Sequence, residues 1–522
     1  MDCVNRMHTL YPLSSERLSL ARRACSPSTV ALMLVCSGVH TAINAADGPG
    51  ILIVPRVSVT QTWTDNVRLA KENEQADQIT EITPGVTITV AGDRLKAYVN
   101  YALNEIYYAQ GSSPRRSQNQ LNGFGTLEAV KDWAYLDVNA SILQQAISAF
   151  GPQSINNTFV NSNQSEVSSY RISPYVRGKL GSWAEYDARY SRTETHSDAA
   201  VVSGVVAADS TVKIKGGSVR DLGWSADASR QQVDYNPGRS IQADRLNWGL
   251  SYAIAPQLIV SANVGREADN FISFEKRSGG THGFGASWTP SERTLMSVVL
   301  GQRRFGNTHA LNLEHRTART AWRYTDSKDV SVKPGQSSST GLGSVYDLLF
   351  NQFASLEPRP DERARLVNAF LQDNGIKPDF GAVHGFQTSA VFMQRRQNAM
   401  FALLGARDTI AFAATRSDSR RLDLVSLAVD DLSSSALIRQ QALSVNWAHR
   451  LTPDYSLSVL LSEQKTSGSL GLQENRLRLF SSSLSGRVGR HALATLGLRH
   501  VVSRGNFPYD ETAINFNLTV QF

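Results

Sequence analysis

Hydrophobic and polar residues alternate along the last stretch of the chain, residues 511–522. Its apolar members are Ile514, Phe516, Leu518, Val520 and Phe522. Successive side chains of a strand point to opposite faces, so this pattern predicts a strand with one apolar and one polar face. About 9–11 residues let a tilted strand cross a bilayer with its apolar face toward lipid. We therefore predict that this strand closes an outer-membrane β-barrel, and that its five apolar residues form the signal read by the outer-membrane assembly machinery.

The same pattern recurs along the chain from a first strand at residues 53–64, as pairs of strands joined by tight turns and separated by longer polar loops. Several turns contain proline, which fixes φ and cannot donate to a central ladder. Predicted turns are Ala91-Gly92-Asp93, Lys131-Asp132-Trp133, Leu180-Gly181-Ser182, Arg220-Asp221, Ala255-Pro256-Gln257, Thr289-Pro290-Ser291-Glu292, Thr317-Ala318-Arg319, Arg395-Arg396-Gln397, Thr452-Pro453-Asp454 and Gly489-Arg490-His491. This organisation predicts an all-β fold, a large antiparallel transmembrane β-barrel of about 18–22 strands with both termini at the periplasmic end.

Tryptophan residues accompany several of these turns, as Trp133, Trp183, Trp288 and Trp447. Tyrosine and tryptophan favour the boundary between membrane and water because their rings are apolar and carry one polar group. The repetition predicts an aromatic girdle at the end of the barrel where the short turns lie.

One segment, residues 341–381, departs from the strand pattern. Its apolar residues fall at helical spacing, first around Val345 and Leu349 and again around Leu366 and Phe370. This predicts a small helical insert in one extracellular loop. The insert would act as a lid over the barrel or a plug inside it; a surface ornament is the alternative.

The composition argues against a helical membrane protein. Apolar residues make up 41% of the chain, and beyond residue 46 no stretch approaches the about 20 consecutive apolar residues of a spanning helix. All three cysteines, Cys3, Cys25 and Cys36, precede residue 47, so the remainder has no disulfides. A basic start, an apolar stretch and small residues before residue 47 predict a signal peptide over residues 1–46 and a barrel over residues 47–522. The predicted location is the outer membrane of a Gram-negative bacterium.

The net charge is +7, with basic and acidic residues interspersed. There is no basic stripe of the kind that binds nucleic acid, so membrane lipid is the expected surrounding and nucleic acid is not an expected partner. Candidate basic residues of the lumen or mouth are Arg303, Arg304, Arg395 and Arg396. Arginine among asparagine and glutamine suits anionic or polyhydroxylated solutes. The alternative is an interior ladder of arginine paired with acidic residues and closed to solutes.

No catalytic or cofactor motif is present: the sequence lacks a phosphate-binding loop, a dinucleotide-binding glycine run, a zinc-binding His/Glu helix and a nucleophile elbow. The histidines beyond residue 46 have no metal-ligand spacing. We therefore expect no enzyme, no cofactor and no metal. A barrel-embedded hydrolase acting on lipid or polysaccharide stays open as an alternative, with a site assembled from different strands.

Several short motifs carry a family resemblance. They are Thr64-Asp65-Asn66-Val67, Ile82-Thr83-Pro84-Gly85-Val86, Trp288-Thr289-Pro290, Arg303-Arg304-Phe305-Gly306-Asn307 and His315-Arg316-Thr317-Ala318-Arg319-Thr320-Ala321-Trp322, with the aromatic-terminated last strand. The chain resembles outer-membrane β-barrel proteins associated with the PEP-CTERM/exosortase system and exopolysaccharide gene clusters. The resemblance spans nearly all of the chain after residue 46.

This resemblance implies a porin-like outer-membrane channel or scaffold linked to exopolysaccharide export or cell-surface biogenesis. Exopolysaccharide or its export complex would be the partner. The resemblance implies no reaction and no site residue. A structural surface protein with a plugged lumen is the remaining interpretation.

Overall fold

The computed structural model describes residues 50–199, 204–219, 221–236, 238–332, 349, 367, 385–423, 430–469 and 473–522. The predicted signal peptide lies outside the described residues, and so does the predicted insert apart from Leu349 and Val367. The described chain forms a single 22-stranded antiparallel sheet that closes on itself. This confirms the all-β barrel, and the strand number lies at the upper end of the predicted range.

The strands and one short helix follow one another in simple up-and-down order. They are β1 Gly50–Thr64, β2 Asp77–Ala91, β3 Leu95–Tyr108, β4 Arg116–Val130, β5 Ala134–Ala146, β6 Gln164–Leu180, β7 Ala184–Ser197, β8 Gly204–Val219, β9 Leu222–Asn236, β10 Ser240–Ala255, β11 Leu258–Asp269, β12 Arg277–Ser291, β13 Thr294–Arg303, β14 Gly306–Arg316, β15 Thr320–Ser331, β16 Phe392–Leu404, β17 Asp408–Arg421, α1 Asp431–Ser434, β18 Leu437–Arg450, β19 Tyr455–Ser467, β20 Glu474–Arg487, β21 Ala492–Gly505 and β22 Tyr509–Gln521.

The barrel closes where the last strand pairs with the first. β22 runs antiparallel to β1, in a register that matches Gln521 with Arg56 and Ala513 with Thr64. On the lumen side, the Asn517 amide donates hydrogen bonds to the hydroxyls of Ser58 and Thr60, at 2.7 and 2.8 Å. A closed sheet leaves no unpaired edge, which is the condition for placing strands in a hydrocarbon environment.

The outer face of the barrel carries an apolar band. Ile514 and Phe516 of β22 are exposed on this face, while Ala513 on the other parity is buried. Exposed apolar residues continue around the wall at the same parity, for example Leu250 in β10 and Phe284 in β12. No helix among the described residues is long and apolar enough to cross a membrane.

All connections at the end of the barrel that holds residues 50 and 522, here called the turn end, are short. The opposite end, here called the loop end, carries the long connections together with three short ones, β9–β10, β13–β14 and β21–β22. Nine of the predicted turns lie at the turn end, although β12 extends through Thr289 and Pro290 to Ser291. Four of these turns contain a left-handed residue, namely Asp132 (φ 56°), Gly181 (φ 59°), Asp221 (φ 67°) and Gly489 (φ 83°). The predicted tryptophans Trp133, Trp183, Trp288 and Trp447 are all exposed near these turns, as expected for an interfacial girdle.

The predicted turn at Arg395-Arg396-Gln397 is wrong. These residues lie inside β16, and the connection to β17 follows at residues 405–407. The strand continues through them because its loop-end half rises above the apolar band. Polar residues there occupy both faces of a strand without breaking it.

We expect that removing the terminal aromatic residue impairs assembly. The Phe522 side chain is exposed on the lipid-facing parity, and its backbone N–H donates to the Pro55 carbonyl at 2.9 Å across the closing seam. Phe522→Ala should lower the fraction of protein that shows heat-modifiable gel mobility in outer-membrane fractions. Gln521→Ala, on the other parity, is the matched control. Wild-type assembly of Phe522→Ala would remove the role assigned to the terminal residue.

Candidate functional site

The inner wall of the barrel is lined mainly by hydroxyl and amide side chains. Along β17–β19 these side chains are buried: Thr409, Ser417, Ser419, Gln440, Ser444, Asn446, Ser456, Ser458 and Thr466. Across the barrel, the lumen-facing Ile259 of β11 and Val299 of β13 are about half exposed, at 45% and 47%. The lumen surface is therefore covered along one sector and open along another.

The lumen face of β3–β7 carries a chain of stacked rings and guanidinium groups, here called the aromatic track. The Phe124 ring stacks on Tyr98 with centroids 5.5 Å apart, and Tyr135 stacks on Tyr175 at 5.0 Å. Arginine side chains cover the second pair: the Arg177 guanidinium lies 4.3 Å from the Tyr135 centroid, and that of Arg189 lies 3.8 Å from Tyr175.

One ring of the aromatic track is open to the lumen. Phe124 is 55% exposed although it lies on the inner face, where its register partner on β5 is Asn139. Asp137, two residues along β5, binds the Arg189 guanidinium at 2.7 Å and accepts from the Thr126 hydroxyl at 2.9 Å. The exposed Phe124 ring thus lies in a wall that is otherwise polar, and the two arginines cover the second ring pair of the track, nearer the turn end.

The loop between β5 and β6, residues 147–163, folds inward across the loop end of the barrel and is here called the mouth loop. Phe159 is its anchor: the side chain is 1% exposed and packs against Val67, Ile79, Ile106, Tyr108, Leu477, Val501 and Tyr509. These partners come from the β1–β2 loop and from the lumen faces of β2, β3 and β20–β22. A side chain from one sector of the wall is therefore buried against strands on both sides of the closing seam.

Hydrogen bonds hold the mouth loop along its length. The hydroxyl of Tyr509 donates to the Gln153 carbonyl at 2.5 Å, and that of Tyr108 donates to the Thr158 carbonyl at 2.6 Å. The Asn475 amide donates to the Phe150 carbonyl at 2.7 Å. Each donor is a wall residue, and each acceptor is a backbone carbonyl that a polar loop would otherwise leave to water. The loop therefore has one defined position in the mouth.

A second inward segment, residues 385–391, precedes β16 and is here called the stem. The hydroxyl of Ser197 donates to the Gln387 amide oxygen at 2.7 Å, and the Gln387 amide donates to Ser165 at 2.8 Å. The Asp430 carboxylate accepts from the Thr388 hydroxyl at 2.6 Å and from the Ser389 backbone N–H at 3.1 Å. The stem thus joins β6 and β7 to the β17–β18 connection.

Helix α1, in the β17–β18 connection, also contacts the mouth loop. The Asp431 carboxylate accepts from the Ser148 hydroxyl at 2.7 Å and from the Ala149 backbone N–H at 2.5 Å. Burial raises the pKa of Asp431 above its ordinary value, while these two hydrogen bonds act in the opposite direction. A buried carboxylate is costly unless both acceptors are used, so this contact depends on the mouth loop staying in place.

The far side of the mouth is closed by an ion pair. The Arg239 guanidinium, from the β9–β10 connection, lies 3.1 Å from the Asp423 carboxylate, and that carboxylate side chain is 1% exposed. Arg239 also donates to the Phe271 carbonyl at 2.8 Å. Close by, the Tyr235 hydroxyl donates to the Val332 carbonyl. Described segments from β9 to β18 therefore meet over the lumen at the loop end.

Two described residues of the predicted insert lie deep in the lumen. Leu349 and Val367 are helical and fully buried. They pack with lumen-facing small residues of β15–β18: Ala321, Ala402, Ala411, Ala413 and Ala448. Ala321 is the second residue of β15, ten residues from the end of that strand at Ser331. At about 3.3 Å per residue, the contact lies roughly 30 Å along the strand from the mouth.

Two of the four predicted arginines lie near the mouth. Arg303, on the lumen parity of β13, donates to Glu267 at 2.8 Å and to Asp329 at 2.7 Å. Arg304, in the β13–β14 turn, binds Asp269, and its backbone N–H donates to Glu267 at 2.9 Å. Arg303 and Arg304 are therefore paired with acidic residues of the barrel itself. This matches the alternative prediction of an interior ladder of arginine and acidic residues, and not a set of arginines that binds solutes.

The other two predicted arginines separate, because neighbouring residues of a strand point to opposite faces. Arg396 lies on the lumen parity of β16. Arg395 is wrong as a lumen residue: it lies on the outer face, where it binds Asp326 at 2.6 Å. The sequence reasoning missed the aromatic track and the mouth loop. An isolated phenylalanine in a polar loop, Phe159, and an aromatic on the polar parity of a strand, Phe124, were the available signals.

No group of three His, Cys, Asp or Glu side chains among the described residues is placed to hold a metal ion. The six histidines in described strands are His196, His282, His309, His315, His449 and His500. All six lie on the outer-face parity by strand register. The described strands therefore place no histidine on the lumen face.

Comparison with known proteins finds similarity at the level of the fold. No family model and no curated protein matches the chain. The apoprotein form of the FrpB iron transporter from Neisseria meningitidis is 8% identical over 91% of this chain and 82% of that one, with a TM-score of 0.48. The siderophore receptor PirA from Acinetobacter baumannii is 7% identical over 90% and 80%, with a TM-score of 0.47. A mutant of the ferric enterobactin receptor PfeA from Pseudomonas aeruginosa is 10% identical over 91% and 82%, at 0.45. We draw no functional inference from these similarities, and the chain is classified by its own architecture as a closed 22-stranded transmembrane barrel.

Proposed function

We propose that this chain is an outer-membrane barrel that binds and passes a polyhydroxylated solute, with acidic sugar chains as the favoured class. The single observation that carries the proposal is the aromatic track, whose Phe124 ring is exposed in a polar lumen and whose second ring pair is covered by arginines. Apolar side chains in a wet lumen are unfavourable unless something covers them. An exposed aromatic ring there is a candidate binding surface.

Sugar chemistry fits this surface in two ways. The faces of a pyranose ring carry C–H groups that stack on the electron-rich face of an aromatic ring. Uronic acid carboxylates pair with guanidinium groups, which present several donors in one plane. The hydroxyl and amide side chains of the inner wall can exchange hydrogen bonds with sugar hydroxyls along the path.

The link to exopolysaccharide export, implied by the family resemblance, is the finer part of this proposal. It is supported by the same sugar-binding chemistry and by the outer-membrane architecture. A hydrolase acting on polysaccharide in the lumen is disfavoured, because the described strands carry their histidines on the outer face. A hydrolase acting on membrane lipid would use that face and stays an alternative. A purely structural barrel is the interpretation left if no sugar binds.

We expect Phe124→Ala to weaken the binding of oligogalacturonate to the detergent-solubilised barrel by about 3- to 10-fold, the order expected for loss of one aromatic stacking contact. Isothermal titration calorimetry measures this directly. The matched control is Phe284→Ala, because Phe284 is comparably exposed but lies on the outer face. Arg177→Gln should weaken binding of the acidic oligosaccharide while leaving a neutral dextran oligosaccharide unaffected. Absence of binding to the wild-type barrel, or equal loss in the Phe284→Ala control, would contradict the proposal.

A further inference from the structure

The outer face of the barrel is asymmetric in charge above its apolar band. In the loop-end half of β15–β20, the basic residues on the outer parity are Lys328, Arg395, Arg416, Arg420, Arg439, Lys465, Arg476 and Arg478. The acidic residues there are Asp326, Asp418, Glu463 and Glu474. These twelve residues are here called the basic sector. It holds eight basic side chains against four acidic ones.

The opposite side of the barrel shows the reverse balance. In the loop-end half of β2–β8, Arg192 is the one basic residue on the outer parity within the described strands. The acidic ones are Glu105, Glu166 and Glu194. The excess of positive charge is therefore local to one sector and does not simply reflect the net charge of the chain.

Two of the four acidic residues of the basic sector are each shared between two arginines; of the others, Asp326 binds Arg395 and Glu474 binds Lys465. Asp418 accepts from Arg416 at 3.0 Å and from Arg439 at 2.9 Å. Glu463 accepts from Arg476 at 2.6 Å and from Arg478 at 2.8 Å. Each carboxylate thus holds two guanidinium groups at a fixed position and neutralises only one of their charges. The side chains of these four arginines are 42–57% exposed.

The depth of the basic sector corresponds to lipid headgroups. On β20 Arg478 follows the apolar band by two residues, since Phe480 is exposed on the same face. On β18 Arg439 lies four residues from the exposed Leu443. Two to four residues of a strand tilted by about 40° correspond to a height of roughly 5–10 Å above the hydrocarbon boundary. Phosphate groups of membrane lipids lie at this level.

We propose that the basic sector binds the phosphate groups of a phosphorylated lipid in the outer leaflet, with lipid A as its simplest example. Fixed, partly neutralised arginines give planar, multidentate recognition of phosphate. The inference rests on the outer-membrane placement and on the loop end facing outward, and it is independent of the solute that the lumen takes.

The test compares two triple variants of the full chain. Arg416→Gln/Arg439→Gln/Arg478→Gln removes three cations from the basic sector. Arg192→Gln/Arg230→Gln/Arg266→Gln removes three outer-face arginines of β7, β9 and β11. Both are refolded in detergent, and their heat-modifiable mobility verifies the barrel. Native mass spectrometry then measures the retention of bisphosphorylated lipid A, of dephosphorylated lipid A and of phosphatidylglycerol.

Wild-type protein and the control variant should retain bisphosphorylated lipid A, and the basic-sector variant should bind it about tenfold more weakly or worse. Dephosphorylated lipid A should not be retained. Stronger retention of phosphatidylglycerol than of lipid A would overturn the assignment to a phosphorylated outer-leaflet lipid. Equal losses in the two variants, or retention that does not depend on phosphate, would overturn the binding site itself. A barrel that fails to show heat-modifiable mobility would count against the architecture and not against this site.

Discussion

Phe159→Asp will release the mouth loop. The Phe159 side chain is buried in an apolar cluster formed by residues from both sides of the closing seam. Replacing it with a carboxylate removes that burial and places a charge in an apolar site, at a cost of about 3–5 kcal/mol. At 1.4 kcal/mol per factor of ten, the released loop becomes at least about a hundredfold more populated.

Limited thermolysin digestion of the folded barrel measures this release. Ile155 and Val160 in the mouth loop are cleavage sites for that protease, and both pack on the Phe159 cluster in the closed form. The variant should be cut within the loop under conditions that leave wild type intact, and its open probability in planar bilayers should increase. Phe274→Asp is the matched control, since Phe274 is a loop phenylalanine that is already 69% exposed. A loop as resistant in Phe159→Asp as in wild type would show that the apolar cluster does not hold it.

The wall of this barrel was predictable because a period of two is a strong and local signal. Ile514, Phe516 and Leu518 identify their own strand. The same alternation specifies which face of β1 and which face of β22 point to the lipid where the two strands pair. Turn chemistry located the ends of the strands. One turn predicted in this way, at Arg395-Arg396-Gln397, was wrong, because a polar run inside β16 resembled a turn although the strand continues above the apolar band.

The interior was less predictable because its contacts join residues far apart in the sequence. Tyr509 and Gln153 are separated by 356 residues, yet they form one of the hydrogen bonds of the mouth loop. Such a loop has no periodicity, and its polar composition is also that of an exposed loop. The aromatic track was missed for a related reason: Phe124 and Tyr98 belong to different strands, and their pairing depends on a register that alternation alone does not specify.

The second prediction with a large expected effect concerns the contact between the predicted insert and the lumen wall below the mouth. Leu349 and Val367 are buried against five lumen-facing alanines close to the turn end. Alanine at these positions leaves room that larger side chains would fill, so the wall of β15–β18 is shaped to receive a neighbour. This contact favours a plug over an ornament at the surface, and the role of residues 341–381 stays a prediction that the following variants test.

Deleting residues 341–381 should therefore raise single-channel conductance several-fold, because a barrel of 22 strands is wide enough to hold an aqueous channel once its interior is vacated. Leu349→Asp/Val367→Asp tests the same contact without shortening the chain, and should raise the open probability by disrupting burial against the alanines. Deletion of residues 71–74, an exposed part of the β1–β2 loop, is the control for shortening a loop at the same end. An unchanged conductance in both lumen variants, with heat-modifiable mobility intact, would show that the mouth loop and stem close the barrel without the insert. Increased conductance in both variants would place the barrier at the alanine contact, whereas an increase in the deletion alone would place it elsewhere in the insert.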